Sequence, residues 1–298
     1  MVLVACMFAH LAGLVCGQSA RPLYLGVLEA GGLGTVRNNE NALSRPDVRV
    51  AFRFENGGWM AMPHEAAYPQ ALESLISAYP ETVSWLLALD GRRVGSVKGD
   101  RPGKFGRYSE VGIQFLAIRE TFPRIRAGRK AFYVWGGTPG FRPLVAISRP
   151  NYADPDHWKP FHPTPDIARQ AYSLFRALIG IPLDCKSEIL RHDYPDELIR
   201  TVGKAYRSAK GDILLELGTS HTCDPNGVGE DWQDPIYFLL RSGAVTYVGK
   251  NLTLVDAGDY DRDGTSEVVF QYSGDNRDGY LLLHNHLTSV AEFTWNYH

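Results

Sequence analysis

The sequence predicts a mainly β protein of antiparallel meanders, β-propeller-like or alternatively a β-sandwich, with two short helical insertions. Three observations carry this expectation. Apolar residues alternate along Val48–Phe54 and along Ala291–Tyr297, the period of a half-buried strand. Elsewhere, strand-length apolar runs are separated by short turns rich in Gly, Asn and Asp. One acidic loop, Asp259-Tyr260-Asp261-Arg262-Asp263-Gly264-Thr265-Ser266-Glu267, lies between two such runs.

Residues 1–17, MVLVACMFAHLAGLVCG, contain no Asp, Glu, Lys or Arg. The run is too short to span a bilayer as a helix but suits a signal-peptide core, and Val15 and Gly17 give a small-residue pattern for cleavage near Gly17. The expectation is a secreted, periplasmic or cell-surface protein with residues 18–298 as one mainly-β domain. No transmembrane segment is expected once the signal is removed. Cys185 and Cys223 then form a disulfide candidate, a closure that stabilises by on the order of 3–4 kcal/mol; two free buried thiols are the alternative.

Leu23–Leu28 reads as the first strand. Gly31, Gly32 and Gly34 follow it without the spacing of a dinucleotide-binding turn. Val48–Phe54 and Trp59–Met62 flank a hairpin turn at Asn56-Gly57-Gly58, and Val83–Leu89 and Arg93–Val97 flank a second at Asp90-Gly91. Ala71–Tyr79, ended by Pro80, is the first helix, with a stripe of Leu72, Leu75 and Ile76. Val111–Ile118, Ala131–Trp135 and Pro143–Ser148 are further strands. The proline-rich stretch 149–166 reads as a long loop whose Tyr152, Trp158 and Phe161 either fold back over a sheet or meet a partner. Asp166–Ile179 is the second helix.

Leu198–Ala209 suits either a helix or the first arm of a hairpin that returns through Asp212–Leu217; the hairpin is the preferred reading. From Ile236 the strands succeed one another: Ile236–Leu240, Ala244–Gly249, Leu252–Ala257, Glu267–Tyr272, Tyr280–Leu283 and Ala291–Tyr297. Turns are expected at Arg241-Ser242-Gly243, Asp275-Asn276 and Asp278-Gly279. The expected sheets number four or five, with the strand near Tyr24 closing a ring beside Phe293.

The net charge of −2 argues against general nucleic-acid binding. Residues 92–130 nevertheless hold eleven Lys/Arg against three acids, a net of +8, and residues 211–298 hold fourteen acids against four bases, a net of −10. The two segments either face each other or are solvated, or else Arg101, Lys104, Arg107, Arg124, Arg126, Arg129 and Lys130 make an anion-binding surface.

In the acidic loop, Asp259, Asp261 and Asp263 occupy positions 1, 3 and 5 of an oxygen-ligand loop. Gly264 stands at the sharp turn, Thr265 offers a carbonyl at position 7, and Glu267 falls at position 9. Carboxylates this close repel one another unless a hard cation sits among them, so the expected cofactor is Ca²⁺. Position 12 is Phe270 and the flanks are strands, which sets the loop apart from an EF-hand. The strand–DxDxDGxxE–strand pattern over 252–283 resembles the FG-GAP or VCBS-type repeat of integrin-α-like β-propellers. That resemblance implies a Ca²⁺ held between adjacent strands of a blade, and an adhesive or ligand-binding role toward an extracellular protein or glycan. The rest of the chain resembles exported bacterial proteins.

Two other readings remain open. His284 and His286 would share one strand face, as two zinc ligands do. Glu230, Asp231 and Asp234 could serve a hydrolase acting on a glycan or other polymer, if they face a cleft. No G-x-S-x-G, H-E-x-x-H or P-loop pattern occurs, so no catalytic residue is assigned and a binding module is favoured over an enzyme.

Overall fold

The computed structural model describes residues 22–29, 46–64, 71–100, 112–116, 121–127, 132, 139–149, 152–179, 201–218, 235–274 and 276–296. In chain order the first half contains β1 (Leu23–Glu29), β2 (Asp47–Glu55), β3 (Gly58–Ala61), α1 (Ala71–Ser77), β4 (Thr82–Leu89), β5 (Arg92–Asp100), β6 (Ile113–Phe115) and β7 (Leu144–Ile147). These strands form one antiparallel sheet in the order β3-β2-β1-β7-β4-β5, with β6 also paired to β2. The hairpin turns are built as their residues predict. Asn56-Gly57 and Asp90-Gly91 each place both residues at positive φ, between 50 and 80°, the backbone of the tight turn whose twist matches two adjacent strands.

The second half contributes β8 (Lys159–Pro160), α2 (Pro165–Ile179), β9 (Thr201–Arg207), β10 (Ile213–Gly218), β11 (Ile236–Arg241) and β12 (Ala244–Lys250). Their five strands run in the order β12-β11-β10-β9-β8. β13 (Leu252–Gly258), β14 (Glu267–Gly274), β15 (Arg277–His284) and β16 (Ser289–Asn296) then form a four-stranded meander. α2 starts with Pro165 in its first turn, where the missing N–H costs nothing. It lays Ala168, Ala171 and Phe175 on Ala205, Ile213, Leu215 and Phe238 of the five-stranded sheet.

The four-stranded sheet is buried on both faces. Val255, Val269, Tyr280, Leu282, Ala291 and Phe293 pack into the core of the seven-stranded sheet. Leu254, Val268, Phe270, Leu281 and Leu283 pack on Leu214, Tyr237 and Leu239 of the five-stranded sheet. This explains the unbroken apolar runs Val268-Val269-Phe270 and Tyr280-Leu281-Leu282-Leu283, since a strand covered on both sides has no polar face to alternate. β13 crosses over β7 and β4 while β16 lies over β3 and β2, so the two sheets stack face to face. Among the described residues no helix is long and apolar enough to cross a membrane.

The mainly β, antiparallel class with two helices is therefore observed, and the hairpin reading of 198–217 holds as β9 and β10. Several finer expectations are corrected. Among the described residues the strands gather into three sheets of seven, five and four rather than four or five small ones. β1 is hydrogen-bonded to β2 on one side and β7 on the other, so it has no free edge to pair with β16. Asp278-Gly279 lies inside β15, opposite Trp295 and Thr294, and the reversal comes before it at Asn276. Gly279 is required there by a close approach, because a Cβ would stand 2.5 Å from the Phe293 carbonyl oxygen. Within the strand expected at 111–118, the described residues 112–116 hold the three-residue β6 and a bridge from Leu116 to Gly99. Phe132 is buried but not in a strand; the rest of 131–135, the segment 1–17, Cys185 and Cys223 lie outside the described residues.

One charged contact ties the stacked sheets together. Arg49 on β2 is fully buried, and its Nε and Nη2 donate to Glu29 on β1 at 2.7 and 2.9 Å. The Tyr280 hydroxyl of β15 donates to the same carboxylate at 2.9 Å, and the guanidinium lies 4.0 Å from the Trp295 ring centroid on β16. Removing one member leaves the other charge buried without compensation. Arg49→Met is expected to destabilise by about 3–5 kcal/mol, and Tyr280→Phe by about 1–2 kcal/mol, as read from urea unfolding midpoints. A loss below 1 kcal/mol for Arg49→Met would show that the pair contributes nothing to joining the sheets.

Candidate metal centre

The acidic loop connects β13 to β14, and its ends are pinned because Gly258 pairs with Glu267 in the ladder. Arg262 at φ 71° and Gly264 at φ 89° turn the chain back on itself. Carboxylate oxygens of Asp259, Asp261 and Glu267 come within 4.8 Å of one another. Loop amides hold these side chains: Gly264 N donates to Asp259 Oδ2 at 3.1 Å, Asp263 N to Asp261 Oδ1 at 3.0 Å, and Tyr260 N to Glu267 Oε2 at 2.7 Å. Asp259 Oδ1 is buried without a hydrogen-bond partner among the described residues.

Of the five residues expected from spacing, the structure thus brings three together. Asp263 is exposed, and its Oδ1 instead accepts from Thr265 N at 2.7 Å and from Thr265 Oγ1 at 2.5 Å. These two residues fasten the turn to itself. Glu267 is only 1% exposed. Burial, and then the charge of Asp261, push its carboxyl up to about 9. Burial likewise raises Asp259 and Asp261. A divalent cation among the three oxygens would reverse these shifts by favouring the ionised forms. The ligand set is oxygen only, which suits Ca²⁺ or Mg²⁺ rather than zinc.

A second segment, more than a hundred residues away in the chain, buttresses the loop. Ser266 N donates to Asp156 Oδ2 at 2.9 Å, and Ser266 Oγ donates to Asp154 Oδ1 at 2.6 Å. Asp259 N donates to the Ala153 carbonyl at 2.8 Å. Tyr152 stacks on Tyr260 with centroids 5.7 Å apart, and it fills the space where a Cβ on Gly258 would stand. Asp156 passes the connection on: its carbonyl accepts from Ala209 N at 2.6 Å, and its carboxylate pairs with Lys210 at 2.6 Å. The aromatics of the proline-rich loop therefore do fold back, with Trp158 buried between the five- and four-stranded sheets. The readable signal was the acid pair Asp154 and Asp156 around Pro155.

Behind the loop, Asp256 is buried at 4% exposure and accepts from Asp90 N at 2.9 Å. Burial pushes its carboxyl up to about 7. The Tyr152 hydroxyl lies 2.8 Å from Asp256 Oδ2 and 2.5 Å from the Ala257 carbonyl. A hydroxyl has one proton, so when it serves Ala257 the contact to Asp256 needs a proton on the carboxyl.

The remaining candidates do not converge. His284 ends β15, while His286 lies in the following turn with φ 56°, flanked by Asn285 and Leu287 also at positive φ. The strand period does not extend to His286, so the two rings share no strand face. Glu230, Asp231 and Asp234 lie outside the described residues, as do Arg101, Lys104, Arg107, Arg129 and Lys130. Arg124 and Arg126 are exposed, and Arg124 stands over the rings of Phe122 and Phe141. No protein-family model, curated protein or solved structure matches this chain.

Ser266→Ala removes the hydroxyl that satisfies the buried Asp154 carboxylate and is expected to cost about 1–3 kcal/mol in urea unfolding. Asp256 gives a pH signature. Its folded-state value lies above the ordinary carboxylate value, so between about pH 4 and 7 the folded protein holds a proton that the unfolded chain has lost. That contribution is intact below pH 4 and is lost as pH rises through 7. Asp256→Asn should flatten the fall in melting temperature across this window; an unchanged slope would show that Asp256 ionises freely in the fold.

Proposed function

We propose that this chain is an exported binding or structural module stabilised by Ca²⁺, with its sheets stacked as blades of a β-propeller-like fold and an extracellular protein or glycan as partner. The observation that carries the metal reading is the trio Asp259, Asp261 and Glu267, with oxygens within 4.8 Å in a loop between two adjacent strands. Glu267 belongs to the ladder itself, so it cannot swing to water to relieve its burial. The strand flanks of the loop support the blade reading, and residues 1–17 support export.

The metal acts as a staple. Bound Ca²⁺ lets Glu267 ionise and fixes the chain through Ser266. Ser266 in turn holds Asp154 and Asp156, so one cation steadies both the β13–β14 connection and the segment 152–158. Extracellular Ca²⁺ modules bind with dissociation constants of about 10⁻⁴–10⁻³ M. At one hundred times the dissociation constant the ion adds about 2.7 kcal/mol.

Excess EDTA should therefore lower the melting temperature, and Ca²⁺ should restore it in the wild type but not in Asp261→Ala. Ca²⁺ binding at pH 7 should also release protons, seen as a binding enthalpy that varies with the buffer. Identical melting curves with EDTA and with Ca²⁺ would remove the metal from the account.

A further inference from the structure

The basic segment 92–130 keeps its charge at the surface. Its described cations are Arg92, Arg93, Lys98, Arg124 and Arg126, and all are exposed. Among the described residues none of them enters an ion pair, whereas Arg49, Arg53, Arg169, Lys210 and Arg241 each have one. The described acids nearby are Asp90 in the hairpin turn, and Glu81 and Asp100 at the opposite end of β4 and β5. Lys98 lies two residues from Asp100 on one face of β5, so that end of the strand is locally balanced. The arginines are not.

Local pairing lines them up. Arg142 N donates to the Ile125 carbonyl at 2.8 Å, Ala127 N donates to the Gly140 carbonyl at 3.3 Å, and Arg126 pairs with Phe141. The result is a short antiparallel ribbon, in which opposed residues and residues two apart share a face. Ile125 and Ala127 pack against the core of the seven-stranded sheet. Arg124, Arg126 and Phe141 therefore take the outer face, and the Arg124 guanidinium stands 5.3 Å from the Phe122 ring centroid and 5.7 Å from that of Phe141. Pro123 ties the ribbon to β5, since its Cδ lies 3.0 Å from where a Cβ on Gly95 would stand. Gly95 pairs with Leu87 and Arg92 with Leu89, so the bulge between them puts Arg92 on the same face as Pro123.

We propose that the strip of Arg92, Arg124 and Arg126, with the rings of Phe122 and Phe141, is the docking surface for an acidic polysaccharide. Exposed guanidinium groups keep their fork free for the carboxylates or sulfates of such a polymer. Their spacing along an extended ribbon and strand suits repeated charges on a chain. Arg124 is already held by two rings, so it loses less freedom on binding than a free surface cation does. The aromatics argue against single-stranded nucleic acid, which needs bare rings for its bases to stack on. Phe122 has Arg124 over it and also packs against the core, and Phe141 is capped by the same guanidinium. This inference names the glycan partner of an exported module. It rests on that part of the proposed function, and Asp259–Glu267 takes no part in it.

The test is calorimetric titration of the full chain at low salt, in excess EDTA, with sodium polygalacturonate, heparin, neutral dextran and single-stranded poly-dT. EDTA removes any Ca²⁺ bridge to the polymer, so failure here and failure of the metal staple are read in separate experiments. Saturable binding of polygalacturonate or heparin that weakens as NaCl is added, with none for dextran, supports the proposal. Arg124→Gln and Arg92→Gln should each weaken it severalfold at unchanged melting temperature. Arg124→Lys keeps the charge but loses the fork and the stacking, and should fall between the wild type and Arg124→Gln. Arg169→Gln, on α2 over the five-stranded sheet, should bind as the wild type does. The proposal is overturned if neither acidic polymer binds, if poly-dT binds more tightly than both, or if Arg124→Gln and Arg92→Gln bind no more weakly than Arg169→Gln.

Discussion

The constraint on which the rest of the structure depends is the burial of β13–β16 on both faces. A sheet in that position cannot slip, because a one-residue shift would turn every side chain into the wrong core. Its apolar residues serve two cores at once, Val269 and Leu282 toward one and Phe270 and Leu281 toward the other. The hairpin connections of this sheet therefore begin and end at fixed points. The acidic loop is one of them. Its geometry is set less by its own residues than by the register that holds Gly258 against Glu267.

Where the middle sheet departs from regularity, it does so beside polar groups. The residue inserted at Val255 gives a carbonyl to Arg142, and it turns Asp256 toward Asp90 and Tyr152. Tyr152 reaches on to Tyr260 inside the acidic loop. The bulge on β13 thus lies four residues before Asp259, where the acidic loop leaves the strand and runs to Glu267 at the start of β14.

Much of this was legible in the sequence, for identifiable reasons. Asn56-Gly57 and Asp90-Gly91 name their own turns because Asn, Asp and Gly accept positive φ at least cost. The spacing of Asp259, Asp261 and Glu267 announced that their carboxylates would meet, because side chains on one short loop need no distant partner. What escaped were relations between distant segments. Nothing in Leu23–Glu29 says that its second neighbour is Leu144–Ile147, more than a hundred residues away. Nothing in Ser266 says that Asp154 and Asp156 will close on it. The histidine pair was misread because period two was carried past the end of β15 into a run of three positive-φ residues.

Among the described residues two glutamates are deeply buried, and they have opposite solutions. Glu29, 6% exposed, is answered inside the protein by Arg49 and Tyr280. Its charge is compensated whatever the solution contains. Glu267, 1% exposed, meets one backbone amide and two further carboxylates. No lysine or arginine is placed to answer it among its described contacts. The carboxyl at that point therefore either keeps its proton or ionises against a cation from outside, and burial makes the proton expensive to release. A protein that only wanted rigidity there could have used a neutral side chain, as it did at Val268 and Val269. Three acids in a loop with fixed ends repel one another, and a cation would turn that repulsion into attraction. On the proposed reading, a cation there would be a folding partner of the β13–β14 connection, as Arg49 is for β1.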